Sequence, residues 1–149
     1  MISPKAEVHK NARIADGVSI GAFTVIEEDV EIGEGTWIGP NVTIMDGARI
    51  GKNCQIFPGA VISAIPQDLK YQGEKTTAEI GNNSIIRECV TINKGTSDRH
   101  KTALGNNCLV MAYSHLAHDA IVGNNVILAN NATIAGHVVI EDFAILEGI

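Results

Sequence analysis

Residues 18–50 read VSIGAFTVIEEDVEIGEGTWIGPNVTIMDGARI, and within them isoleucine returns at 20, 26, 32, 38, 44 and 50, every sixth residue without a break. The register extends in both directions. Toward the N-terminus it takes in Ile14, Val8 and Ile2. Toward the C-terminus it takes in Ile56 and Ile62, resumes at Ile80, Ile86 and Ile92, and runs again from Leu104 through Val110, Leu116, Val122, Leu128, Ile134 and Ile140 to Leu146. Only Asp68, Glu74 and Asp98 fall in the series without being branched aliphatics. Four residues after the aliphatic comes a small or slim side chain, among them Thr24, Val30, Thr36, Val42, Ala48, Cys54 and Ala60, and later Ser84, Val90, Cys108, Ser114, Ala120, Val126 and Ala132.

An α-helix would space apolar residues by three and four, and a half-buried strand would alternate by two with no sixfold restriction on size. A six-residue unit that cannot bury its own apolar face reads instead as one rung of a parallel β-solenoid, in which three hexads close a triangular coil. The aliphatic fills the interior and the small residue occupies the narrow part of the triangle. Asp16-Gly17, Glu34-Gly35, Asp46-Gly47, Asn82-Asn83, Asn106-Asn107 and Asn124-Asn125 supply residue types that tolerate positive φ at the corners. The expectation is an all-β chain, one β-helix domain over residues 1–149, with loop insertions near 63–79 and 98–103.

Aromatic residues make up only 4% of the chain, which suits an interior too narrow for rings. No apolar run approaches a membrane span, and Ser3, Pro4 and Lys5 follow Met1 with no signal-peptide pattern, so a cytoplasmic location is expected. Cys54 and Cys108 take the small interior position and read, with Cys89, as reduced cysteines without a catalytic role. The net charge of −6 argues against general nucleic-acid binding. Its distribution is uneven: Lys70, Lys75, Arg87, Lys94, Arg99 and Lys101 all lie between residues 70 and 101, whereas no Lys or Arg follows Lys101. A local basic zone on an acidic rod suits an anionic ligand met near the middle, or polar loops that simply collect lysines.

The first interruption carries Gln67, Asp68, Lys70 and Tyr71, which place acceptors, a cation and an aromatic ring together. Solenoids put insertions on one face, often the binding face, and this combination suits a phosphorylated sugar. The second, Asp98 to Ala103, reads as an exposed flexible turn with no role beyond its charge. Three of the five histidines fall in Ser114-His115-Leu116-Ala117-His118-Asp119 and Ala135-Gly136-His137. Leu116 and Ile134 are one coil apart, so His118 and His137 should lie on neighbouring coils about 4.8 Å apart. His115 and Asp119 should converge with them on one surface. General-base catalysis by an imidazole oriented by a carboxylate fits such a cluster, and so does a zinc site with an open position. Spacing alone does not separate the two.

Taken in order, Gln67-Asp68-Leu69-Lys70-Tyr71 with Gly73-Glu74, Ile86-Arg87-Glu88, Lys94-Gly95-Thr96, His115-x-x-His118-Asp119, Leu128-Ala129-Asn130-Asn131-Ala132 and Ala135-Gly136-His137 resemble the bacterial UDP-N-acetylglucosamine O-acyltransferases of lipid A biosynthesis. The resemblance implies left-handed coiling, against the usual right-handed crossover. It implies His118 as general base for the 3-hydroxyl of the sugar, Asp119 as its orienting carboxylate, and Gln67, Asp68, Lys70, Tyr71, His115 and His137 as substrate-binding residues. It further implies 3-hydroxyacyl carrier protein as donor, UDP-N-acetylglucosamine as acceptor, and no metal or cofactor, since the thioester is already activated and backbone N–H groups can hold an oxyanion. The assembly implied is a homotrimer in which the Gln67–Glu74 loop reaches toward a neighbouring subunit. Because Leu146 to Ile149 fall inside a hexad, the family's C-terminal coils and helical domain are expected to be absent. Another hexapeptide-repeat acyl- or acetyltransferase of a sugar nucleotide, or a non-catalytic solenoid fragment, are the alternatives.

Overall fold

The computed structural model describes residues 1–147, and over them the six-residue period becomes a left-handed parallel β-helix. Its three flat faces are parallel sheets of seven short strands each. The first face stacks Glu7–Val8, Val25–Ile26, Thr43–Ile44, Val61–Ala64, Thr91–Asn93, His115–Leu116 and Thr133–Ile134. The second begins at Arg13–Ile14 and ends at Val139–Ile140, and the third runs from Ser19–Ile20 to Ile145–Leu146. Ile62 lies over Ile92, Ile92 over Leu116, and Leu116 over Ile134, so each inward aliphatic packs on its counterpart one coil away, and the register shifts past Ile62, where Ala64 pairs with Asn93 at the start of the loops. Ile38, Ile44, Ile56, Ile62, Ile86, Leu116 and Leu128 are fully buried. One buried Leu or Ile is worth roughly 1.5–3 kcal/mol, and their continuous column is the main stabilising element.

The small interior positions do more than save space. Thr24, Thr36, Ser84 and Ser114 are fully buried, and each donates its hydroxyl to a carbonyl on the next coil: Gly39, Gly51, Gly105 and Ala129 respectively. Those of Thr24, Thr36 and Ser84 also accept the N–H of Val42, Cys54 and Cys108. A buried hydroxyl paired in this way ties adjacent coils without an uncompensated polar atom. At the corner between the second and third faces, the side-chain oxygens of Asn82, Asn106, Asn124 and Asp142 accept the backbone N–H of Lys52, Asn82, Asn106 and Asn124 in turn. This ladder explains the Asn pairs that the sequence places there.

Both interruptions open at one edge, the corner joining the first face to the second. The first occupies residues 65–76, between Val61–Ala64 and Thr77–Ile80, and the second residues 94–100, between Thr91–Asn93 and Lys101–Leu104. The first is shorter than the expected 63–79 and the second begins and ends before the expected 98–103, because strands run up to Ala64 and start again at Thr77 and Lys101, where Thr77 pairs with Lys101 and Ala78 with Thr102. The two loops are tied together by the Thr76 hydroxyl, which donates to the Gly95 carbonyl at 2.5 Å. At Gly95 a Cβ would lie 2.3 Å from the backbone nitrogen of Lys101, so only glycine lets the second loop return so tightly. The next two coils turn the same corner through Ala117–Ala120 and Ala135–Val138. That stacking sets two loops beside His118, Asp119 and His137.

Candidate active site

His118 follows the inward Leu116 by two residues and Asp119 by three, which puts them in the turn itself. Asp119 adopts positive φ (62°), as does His137 (66°) one coil on. The rings of His118 and His137 meet edge to face with centroids 4.9 Å apart, close to the strand spacing expected from the sequence. Asp119 does not flank them on the surface as anticipated. It is fully buried, because the second loop folds over it. Its Oδ1 accepts the backbone N–H groups of Thr96 (3.0 Å) and Arg99 (3.1 Å), and its Oδ2 accepts the Thr96 hydroxyl (2.5 Å). Its own N–H donates to the Thr102 hydroxyl, and its carbonyl accepts from the Arg99 guanidinium. Burial alone would raise the carboxyl pKa, but donation from the Thr96 hydroxyl, His118 and the two backbone N–H groups outweighs it and brings the group down to about 2. Asp119 is therefore an anion across the physiological range.

The same Oδ2 lies 2.9 Å from His118 Nδ1. An ionised carboxylate only accepts, so Nδ1 carries the proton, and in the neutral ring Nε2 keeps a free lone pair. The side chain of His118 is 15% exposed. Its Nε2 lies 3.8 Å from Asp68 Oδ2, too far for a direct hydrogen bond and near enough for an ion pair when the ring is charged. Asp68 reaches this position because its other oxygen accepts the Lys70 N–H and its carbonyl the Tyr71 N–H, which curls the loop into a turn. This turn sets Asp68 beside His118 of its own chain. Gln67 and Lys70 are exposed, and the Tyr71 hydroxyl donates to the Glu74 carbonyl.

His115 departs from expectation more clearly. It stands on the strand His115–Leu116, facing out of the first face, with Nδ1 2.7 Å from the Thr91 hydroxyl, and takes no part in the cluster of His118, Asp119 and His137. The reason is the twofold alternation of a strand: the residue before an inward leucine points out of the sheet, whereas His118 lies past it in the turn. Burial lowers the pKa of His115, so its ring is neutral near pH 7.

The sequence reading missed the part played by the second loop, which it took for a flexible turn. Besides holding Asp119, the loop places Asp98 Oδ2 at 2.8 Å from His137 Nδ1. At Gly136 a Cβ would lie 2.7 Å from Cε1 and 2.8 Å from Nε2 of His118, so its bareness makes room for the ring. One ligand atom each from His118, Asp119 and His137 lies within 4.8 Å of the others, a spacing that suits a cation. The donors themselves fit a proton relay better. The Asp119 oxygens already accept four hydrogen bonds, so an ion bound through Asp119 would displace the contact that fixes the tautomer of His118.

The bacterial transferase hexapeptide repeat (six repeats) is recognised over residues 29–64 and 101–136. Over 148 residues the chain is 49% identical to the acyl-[acyl-carrier-protein]–UDP-N-acetylglucosamine O-acyltransferase of Pseudomonas putida, covering 99% of this chain and 57% of that one. The chain belongs to the hexapeptide-repeat UDP-N-acetylglucosamine acyltransferase family. The Trichlorobacter lovleyi member is 54% identical over 128 residues, 85% of this chain and 49% of its own. Among solved structures, the Bacteroides fragilis family member superposes with a TM-score of 0.98 at 50% identity, over 99% of this chain and 58% of that one. The Arabidopsis member does so with 0.82 at 36% identity, over 99% and 59%. The chain therefore spans somewhat more than half the length of the relatives it matches, and fits the N-terminal portion of the family.

Proposed function

We propose that this chain carries the proton-transfer centre of an enzyme that moves a 3-hydroxyacyl group from acyl carrier protein to the 3-hydroxyl of UDP-N-acetylglucosamine, the first step of lipid A synthesis. The observation that carries the reading is the free Nε2 of His118, backed by an anionic Asp119 that holds the proton on Nδ1. The sugar hydroxyl gives its proton to Nε2 as its oxygen attacks the thioester carbonyl. The tetrahedral intermediate then expels the carrier thiolate, which takes that proton back from the imidazolium. Asp119 compensates the positive charge while the ring is protonated, and such general-base assistance is worth about 10²–10⁴ in rate. In this reading Asp68, which lies beside Nε2, accepts from the sugar hydroxyls, and His137, His115, Gln67, Lys70 and Tyr71 are further ligand contacts.

The partners follow from this reading: UDP-N-acetylglucosamine, 3-hydroxyacyl carrier protein and two further copies of the chain in a homotrimer, working in the cytoplasm. Among the described residues no helix is long and apolar enough to cross a membrane. The test is to mix the protein with UDP-N-acetylglucosamine and 3-hydroxyacyl carrier protein, and to follow the acylated sugar nucleotide by mass spectrometry. It should be run on this chain and on one extended to the length of its relatives. Product from the extended chain, lost in His118→Ala, is expected; its absence from both would overturn the reading. Sedimentation equilibrium at tens of micromolar, where contacts of micromolar affinity still populate, should show a trimer, and a pure monomer contradicts the assembly.

A further inference from the structure

The second loop departs from the hexad rule at the same edge as the two imidazoles; it reaches His118 through Asp119, which its Thr96 and Arg99 hold, and His137 through the Asp98 carboxylate. The Thr96 hydroxyl is nine-tenths buried and has two partners: it donates to Asp119 Oδ2 at 2.5 Å and accepts the backbone N–H of Asp98 at 3.2 Å. One hydroxyl therefore fixes the carboxylate behind His118 and also the start of the residue that reaches His137. The loop is not free to drift. Besides the Thr76 and Gly95 contacts, the His100 N–H donates to the Thr96 carbonyl and the Gly95 N–H to the Thr77 carbonyl.

We infer that residues 94–100 form a positioning clamp for the site, in which Asp98 is the positioning residue for His137 and Thr96 the hub that holds Asp98 and Asp119 together. The chemistry needs this. An unrestrained neutral imidazole favours the proton on Nε2, and a carboxylate on Nδ1 reverses that preference. With Asp119 accepting from one ring and the Asp98 carboxylate 2.8 Å from Nδ1 of the other, both carboxylates favour the proton on Nδ1, which leaves each Nε2 as the acceptor nitrogen. Two acceptor nitrogens on rings 4.9 Å apart suit a ligand with neighbouring hydroxyl donors, which is the chemistry of a pyranose ring. Asp98 is 60% exposed and His137 47%, so the contact adds little to folding, and its effect falls on orientation. The ligand part of this inference rests on the acyltransferase reading; the tautomer part does not.

Long-range proton–nitrogen correlation spectra of the histidine rings at neutral pH test it. In the unsubstituted chain His118 and His137 should both show the Nδ1–H tautomer. Asp98→Ala should move His137 toward Nε2–H and leave His118 unchanged. Thr96→Val should disturb His137 in the same way, and Thr96→Ser, which keeps the hydroxyl, should restore it. In the extended enzyme Asp98→Ala should raise KM for the sugar nucleotide about tenfold with kcat nearly unchanged, the pattern of lost binding that is uniform along the reaction. If His137 keeps Nδ1–H in Asp98→Ala, the clamp is wrong. If Asp98→Ala lowers the melting temperature and shifts both rings together, the loop is a structural brace and the inference also fails. Should Thr96→Val not fold, Asp98→Ala and Asp98→Asn still decide the matter, since that side chain lies at the surface. A tautomer switch without any turnover in the unsubstituted enzyme would uphold the clamp and remove the acyltransferase reading.

Discussion

Replacing Asp119 by Asn tests whether the buried carboxylate is held by the loop as described. Its carboxyl falls from an ordinary 3.8 to about 2, a change that corresponds to about 2 kcal/mol of folding stability at neutral pH. The sign follows from the direction. Because the folded value is depressed, this stabilisation is present above the unfolded value and is lost as pH falls from about 4 through about 2. Asn cannot reproduce it, since whichever way its amide turns, an NH₂ faces a donor: the Thr96 hydroxyl with the His118 ring, or the backbone N–H groups of Thr96 and Arg99. At pH 7 the variant should be less stable by about 2 kcal/mol, a drop in melting temperature of roughly 4–8 °C for a chain of this size. Urea melts repeated between pH 7 and pH 2 should show the gap closing as the native carboxyl protonates. Other carboxylates titrate alike in both proteins and cancel in the difference. A gap of the same size at pH 7 and pH 2, or none at pH 7, refutes the assignment.

Gly136→Ala should leave the melt nearly unchanged and lower turnover by up to about a hundredfold, because the added methyl displaces the His118 ring; Gly136→Ala with full activity would show that the ring has slack. Ala60→Leu should destabilise by ~1–3 kcal/mol, since Ala60 is fully buried in the narrow column, whereas the exposed Glu28→Gln should cost less than about 0.5 kcal/mol, both measured by urea denaturation.

The fold was legible because the same side chain recurs in the same place on every coil, and no other regular structure asks for an aliphatic every sixth residue. Ile38, Ile56 and Leu128 are buried for the reason their spacing gave. His118 beside His137 was legible for the same reason, as a matter of register. The lapses in register marked where loops leave the coils, but not what those loops touch, since a loop has no period. Thr96 and Asp98 hold the site through contacts 23 and 39 residues away along the chain, and nothing local marks them. His115 shows the opposite failure: nearness in sequence to His118 suggested convergence, and one step of strand alternation separated them.

The most direct test of the central claim, that His118 Nε2 accepts the proton and Asp119 holds the ring, is the single-turnover rate of acyl transfer in the extended enzyme. It should be measured for the unsubstituted protein and for His118→Ala, each with and without a chelator. The account predicts a fall of about 10²–10⁴ in rate for the substitution, with fold and assembly intact and no response to chelation. Zinc bound at one equivalent per site, with activity lost to the chelator and restored by metal, would contradict it, as would a His118→Ala protein that turns over at the unsubstituted rate.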